Sequence, residues 1–218
     1  MTFCGYVTVK LQSERVPQKS IQLLAGQPLV NYPLKILNQI DDISKIYLCC
    51  SERRVEDYID RNQKYCFLER PASLDSNEAT FNDVLDFLIK DIKEEYIVFL
   101  SCTSPFIRPD TIKEMISMIK TNDFDSSFLA TKVNSYCWFR GKPLNFSPEK
   151  KIPRTQDLEP VIIETSGLYI FSKADYIRTK RRVGKKPFIR YASQYEDIDI
   201  DTMDDLNLAR IIAETRAS

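Results

Sequence analysis

Cys4-Gly5-Tyr6-Val7-Thr8-Val9, followed at once by Lys10-Leu11-Gln12-Ser13-Glu14-Arg15-Val16-Pro17-Gln18-Lys19, is the stretch on which the fold turns. Its first six residues form a short run rich in apolar and β-branched side chains, which predicts a buried strand. A basic loop at the carboxyl end of such a strand stands where open α/β sheets take their ligands. Lys10, Arg15 and Lys19 bring three cations into this loop, Arg as a planar fork and Lys as a movable point charge, and Pro17 stiffens the chain between them. Taken alone, the loop reads as an exposed basic turn, and the neighbouring segment is needed to favour phosphate binding. It has neither a GxGxxG nor a GxxxxGKS pattern, and with five glycines in the chain a glycine-built phosphate cradle is not expected.

Working outward, strand and helix signals alternate. Strands are expected at Phe3 to Val9, Lys45 to Cys50, Tyr96 to Ser101, Ser126 to Val133, Ile162 to Phe171 and Pro187 to Tyr191. Phe81, Leu85, Leu88 and Ile92 predict a helix over about 78–93, and Ile112, Met115, Ile116 and Ile119 predict another behind Arg108-Pro109-Asp110. Gly26 ahead of Gln27-Pro28-Leu29 predicts a turn that opens a further helix. The alternation points to an α/β fold with a mainly parallel sheet, and 218 residues fit one domain, 1–218. From about 136 to 160 the pattern breaks into Trp, Gly, Pro and charge, an excursion suited to an arm, a lid or an oligomer contact.

Composition narrows the chemistry. The chain has no histidine, which excludes Ser-His-Asp and Cys-His catalysis and His-ligated zinc. Its six cysteines show no CxxC spacing and several lie in apolar runs, so they read as buried thiols of a reducing compartment. Lys plus Arg equals Asp plus Glu, 31 against 31, so no bulk field draws the chain to nucleic acid or to an anionic membrane. No span-length apolar run or signal-peptide pattern occurs, and a cytoplasmic location is expected. Phosphoryl or nucleotidyl transfer by carboxylates, Lys, Arg and a hard metal survives this filter. So does a binding module.

Near the other end, Asp197-Ile198-Asp199-Ile200-Asp201-Thr202 precedes a helix expected from about Met203. In an extended segment Asp199 and Asp201 point the same way, as a pair of Mg²⁺ ligands must. An acidic first helical turn is the other reading. Thr80 is placed either to cap a helix or to touch a ligand. Trp138 suits a dimer contact or small core, the basic run 180–186 an exposed turn or an anion contact, and Arg108, Arg140 and Arg154 are candidates for an acceptor carboxylate.

A family resemblance joins these pieces. Ser13-Glu14-Arg15-Val16-Pro17-Gln18-Lys19-Ser20 with Gly26-Gln27-Pro28-Leu29, Arg70-Pro71, Ser101-Cys102-Thr103-Ser104-Pro105-Phe106, Arg154-Thr155-Gln156-Asp157-Leu158, Glu164 to Phe171, and Asp197 to Leu206 occur in the order found in the cytidylyltransferases that activate acidic sugars. The chain resembles this CMP-N-acetylneuraminate and CMP-Kdo synthetase family along nearly its whole length. The resemblance implies a Rossmann-like nucleotidyltransferase, commonly a homodimer with a protruding arm. It would use CTP and Mg²⁺ to transfer CMP to a small acidic acceptor with release of pyrophosphate, for polysaccharide or glycoconjugate synthesis. It further implies Lys10, Gln12, Ser13, Arg15, Lys19, Ser20 and Thr80 around the nucleotide, Lys19, Arg15 and Asp201 in catalysis, and Asp199 and Asp201 on the metal. Leu11, Gln12, Glu14, Ser20, Ser101-Cys102 and Thr165-Ser166-Gly167 depart from the family pattern. A phosphonate or phosphate acceptor, or a nucleotide-binding subunit without turnover, is the alternative.

Overall fold

The structure, a computed structural model, describes residues 1–217. Strand β1 (Phe3–Thr8) is buried on both faces except at its last residue, which is why its sequence is apolar almost throughout and why it lies inside the sheet. It pairs in parallel with β4 (Ile43–Cys50) on one side and β6 (Tyr96–Leu100) on the other. The full sheet has seven strands in the order β11-β7-β10-β6-β1-β4-β5, where β5 is Cys66–Glu69, β7 Ser126–Val133, β10 Val161–Ser172 and β11 Pro187–Tyr191. Only β10 runs against its neighbours, β6 and β7. The small strands β2 (Leu23–Leu24) and β3 (Gln27–Pro28), and β8 (Trp138–Phe139) and β9 (Lys142–Pro143), form two separate hairpins.

Alternation along β1 divides the core. Phe3 and Val7 face a layer closed by Leu34 and Leu37 of α1 (Asn31–Leu37) and by Ile112, Met115 and Ile116 of α3 (Pro109–Thr121). Cys4 and Tyr6 face the opposite layer, closed by Leu85 and Leu88 of α2 (Phe81–Leu88) and Tyr176 of α4 (Lys173–Thr179). α1 approaches so closely that a Cβ on Gly5 would stand 2.9 Å from Leu37 Cδ1. A third, smaller cluster fixes the site: Val16 of the basic loop, Leu24, Leu29, and Ile200 pack with Leu206 and Ala209 of α5 (Met203–Ala217). Burial of Ile200 turns its neighbours Asp199 and Asp201 away from that cluster.

The mainly parallel α/β fold stands as expected, with three local corrections. Gln27-Pro28 does not open a helix: Ala25 and Gly26, both at positive φ (47° and 76°), turn a hairpin, and α1 begins only at Asn31. The helix expected over 78–93 is limited to Phe81–Leu88. An edge strand, β5, was not expected, because its half-buried residues show no clean alternation. The excursion carries the β8/β9 hairpin, whose turn residues Arg140 and Gly141 both have positive φ, with Trp138 and Phe139 59% and 61% exposed. Among the described residues no helix is long and apolar enough to cross a membrane.

Candidate active site

A cavity of about 480 Å³ opens at the carboxyl ends of β1 and β6, walled by the basic loop, Asn77 and Ser101 to Thr103. The two ends of the chain meet at its rim. Lys19, held 13% exposed at a 3₁₀ turn, donates to the Ile200 carbonyl at 2.7 Å and to Asp201 Oδ1 at 2.9 Å. Arg15 Nη2 reaches the same oxygen at 3.1 Å. One carboxylate oxygen therefore receives two cations from a loop more than 180 residues away.

Asp199 is the opposite case. Its Oδ1 is buried and has no hydrogen-bond partner. Burial raises its pKa above the ordinary Asp value; the nearby Thr103 hydroxyl and the charge of Lys19 pull it down, while Asp201 and Asp205 push it up. An unpartnered buried carboxylate oxygen is costly unless a cation or donor arrives. Among the described residues no group of three carboxylate, thiol or imidazole ligands stands ready for a metal. Two neighbouring carboxylates such as Asp199 and Asp201 are the kind of donor set Mg²⁺ uses, since it usually takes one or two carboxylates and completes its octahedron with phosphate oxygens and water.

The remaining sequence candidates divide. Lys10, Ser13 and Ser20 line the cavity. The Lys10 ammonium donates to the Asp75 carbonyl at 3.3 Å and Asn77 Oδ1 at 3.4 Å, and Ser20 is buried with its hydroxyl donated to the Lys10 carbonyl at 3.1 Å. Ser20 thus holds the loop's shape. Gln12 faces an adjoining hollow of about 330 Å³ bordered by Asp75, Ser76 and Asn77. Thr80 is corrected: it caps α2, its hydroxyl accepting from Asp83 N while Asp83 accepts from Thr80 N, and it does not line the cavity. Arg108 pairs with Glu196, Arg154 with Asp157, and Arg140 lies over the Phe139 ring, so none of the three reaches the cavity wall.

Two residues have a positioning role the sequence did not reveal: Arg70, read only as part of the Arg70-Pro71 match, and Glu196, not singled out at all. The buried Arg70 donates to Thr8 Oγ1, the Cys49 and Val9 carbonyls and Asp75 Oδ1, tying β1 and β4 to the turn Ala72–Asp75 that leads to Asn77. Glu196, fully buried, accepts from Thr111 Oγ1, Arg108 N and Ser193 N, anchoring the segment that carries the aspartates. Burial pushes its pKa up, but the bonds from Thr111, Ser193 and Arg108 prevail and the net shift is downward. Each is one charged residue whose partners come from remote elements, so no local pattern marks it.

The match to known proteins agrees with this geometry. A family model described as cytidylyltransferase covers residues 7–216. The chain belongs to the cytidylyltransferase family. Among its relatives is the N-acylneuraminate cytidylyltransferase of Oncorhynchus mykiss, 24% identical over 198 residues, covering 87% of this chain and 45% of that protein. The N-acylneuraminate cytidylyltransferase of Streptococcus agalactiae is also 24% identical, over 88% of this chain and 49% of its own. The chain spans about half the length of these curated relatives. The CMP-N,N'-diacetyllegionaminic acid synthase of Legionella pneumophila is 23% identical over 98% of this chain and 97% of its own length. In fold, the cytidylyltransferase chain is similar to a CMP:2-keto-3-deoxy-manno-octonic acid synthetase solved with CTP, at a TM-score of 0.69 and 14% identity over 99% of this chain and 100% of the other.

Proposed function

We propose that this chain transfers CMP from CTP to a small acidic sugar, of the nonulosonic or 3-deoxy-octulosonic type, and releases pyrophosphate. The observation that carries the proposal is the convergence of Lys19 and Arg15 on Asp201 beside the unpartnered Asp199, at the carboxyl edge of the sheet. The names of the relatives supply the acceptor class.

In this mechanism the acceptor hydroxyl attacks the α-phosphorus and pyrophosphate leaves, so negative charge builds on the non-bridging and leaving oxygens. Lys19 and Arg15 exchange the Asp201 carboxylate for oxygens of the triphosphate, whose several negative charges outweigh one carboxylate, and stabilise the departing pyrophosphate. That exchange frees Asp201 to join Asp199. Asp199 and Asp201 would hold Mg²⁺ there, and the ion would supply charge neutralisation for the phosphates. Ser20 and Arg70 keep the loop and the cavity floor in register for this exchange.

We further assign the exposed aromatic face of the 136–160 arm, Trp138, Phe139 and Leu144, to self-association as a homodimer, since apolar surface of this kind marks protein contacts. The six cysteines are all free thiols, which supports a cytoplasmic setting. The test is pyrophosphate release from CTP and Mg²⁺ with N-acetylneuraminate and 3-deoxy-manno-octulosonate. Release that requires both CTP and an acid is expected. CTP binding with no release for any acidic sugar would leave a nucleotide-binding module in its place.

A further inference from the structure

On the α2 side of the sheet a second hollow, of about 620 Å³, lies between the start of α2, Glu164 on β10, and residues 180–183 after α4. It adjoins the nucleotide cavity by two routes. Asn77, in that cavity's wall, is three residues before Thr80; Ser101, also in the wall, donates its N–H at 2.9 Å to Gly167 O, three residues after Glu164. Three residues of chain span no more than about 11 Å, so the linings of the two hollows come within that distance of each other.

Arg182 is the unusual residue in this hollow. Its guanidinium lies 4.2 Å from the ring centre of Tyr169 and 5.0 Å from that of Phe81. Stacking of this kind fixes the plane of the cation and leaves its N–H fork available to an acceptor in that plane. Among the described residues no protein acceptor takes any of those donors. Glu164, in the same hollow, accepts the Tyr169 hydroxyl at 2.7 Å, and the nearby Lys180 is neutralised by Asp86 at 2.7 Å. Elsewhere Arg15, Arg70, Arg108, Arg154, Arg178 and Arg190 each face a carboxylate. A half-buried, pre-oriented guanidinium without a counter-ion, across a hollow from a carboxylate able to accept hydroxyls, suits a polyhydroxylated molecule that carries an oxyanion.

We propose that Arg182 binds an oxyanion of the acceptor, either the carboxylate of the sugar acid or a phosphate ester borne on it, while Glu164 accepts the sugar's hydroxyls. The role in turnover rests on the reaction proposed above; the anion contact itself does not. It is tested by following the arginine side-chain N–H resonances, with Arg182→Lys supplying the assignment, during titration with inorganic phosphate and separately with N-acetylneuraminate. A saturable shift of the Arg182 signal is expected. A shift with N-acetylneuraminate identifies the carboxylate as the source, a shift with phosphate alone identifies a phosphorylated acceptor, and no shift with either overturns the proposal. In kinetics, Arg182→Gln should raise the acceptor KM by about tenfold or more while leaving the CTP KM and the melting temperature in place. A lowered melting temperature with an unchanged acceptor KM would show a purely structural clamp and would also overturn it. Should the wild type release no pyrophosphate with any acid, the proposed reaction fails, and the resonance titration still decides Arg182.

Discussion

The nucleotide cavity and the hollow beside it treat their cations in opposite ways. In the first, Lys19 and Arg15 are closed onto Asp201, so the site's cations are neutralised from within. In the second, Arg182 is held by aromatic rings and has no counter-ion among the described residues. The difference teaches that a site can wait for a polyanion with its charges paired when the ligand brings several negative charges to displace one carboxylate. A site for a single oxyanion has less electrostatic gain to draw on, and an internal counter-ion would compete too well.

The sharpest way to break this contrast is to remove the carboxylates on the nucleotide side. Asp199→Asn and Asp201→Asn should each leave a folded protein and lower pyrophosphate release by about a thousandfold or more, the scale of several kcal/mol expected from lost metal positioning. Asp199→Asn should also change the response to acid. The folded-state pKa of Asp199 is raised above its ordinary value of 3.8, so its folded form binds the extra proton, and wild-type stability gains as pH falls from that raised pKa toward 3.8. The Asn variant lacks this gain, and melting curves against pH would show the two converging at low pH. A fully active variant of either kind ends the metal assignment.

Next in size is Arg70, which belongs to neither site but supports the first. Arg70→Leu leaves Asp75 and the Val9 carbonyl without their buried donor, for a loss of roughly 3–5 kcal/mol of stability by chemical denaturation. Lys19→Ala should weaken CTP binding by about ten- to a hundredfold, the value of one or two charge-assisted hydrogen bonds. Isothermal titration with CTP measures this, and unchanged affinity would detach the loop from the triphosphate. The smallest effect is set by Thr80. As a helix cap it should cost about 1 kcal/mol when changed to Ala, with CTP affinity unaltered. A tenfold loss of CTP affinity would return it to the nucleotide.

What was legible in the sequence has a local signal. The strand-to-loop passage at Val9 and Lys10 and the Asp199, Asp201 spacing are each contained in fewer than ten consecutive residues, and in the structure Val9 and Lys10 line the cavity while Asp201 pairs with Lys19 of its wall. The limits appear where function depends on residues brought together by packing. Nothing near Arg70 in the chain announces that it joins β1 to β4, and nothing near Glu196 announces that it is buried under α3. Arg182 sits in a basic run that is indistinguishable in sequence from a solvated turn, and only the rings of Phe81 and Tyr169 single it out. Thr80 was ambiguous for a related reason: a capping hydroxyl and a ligand-binding hydroxyl have the same sequence neighbourhood, and only the bond to Asp83 separates them.

Val16 and Ile200 are buried in one small cluster with α5, and this has a consequence for how the protein is made. During synthesis the basic loop leaves the ribosome well before its partner Asp201, 182 residues after Lys19, and the helix behind it. The sheet pairings of β1 with β4 and β6 need only the first half of the sequence. A growing chain therefore assembles much of its scaffold before its nucleotide-binding rim exists, and until α5 docks, Lys19 and Arg15 have no carboxylate to close on. The rim is therefore closed only after the segment carrying Asp199 and Asp201 has emerged and α5 has packed against Val16.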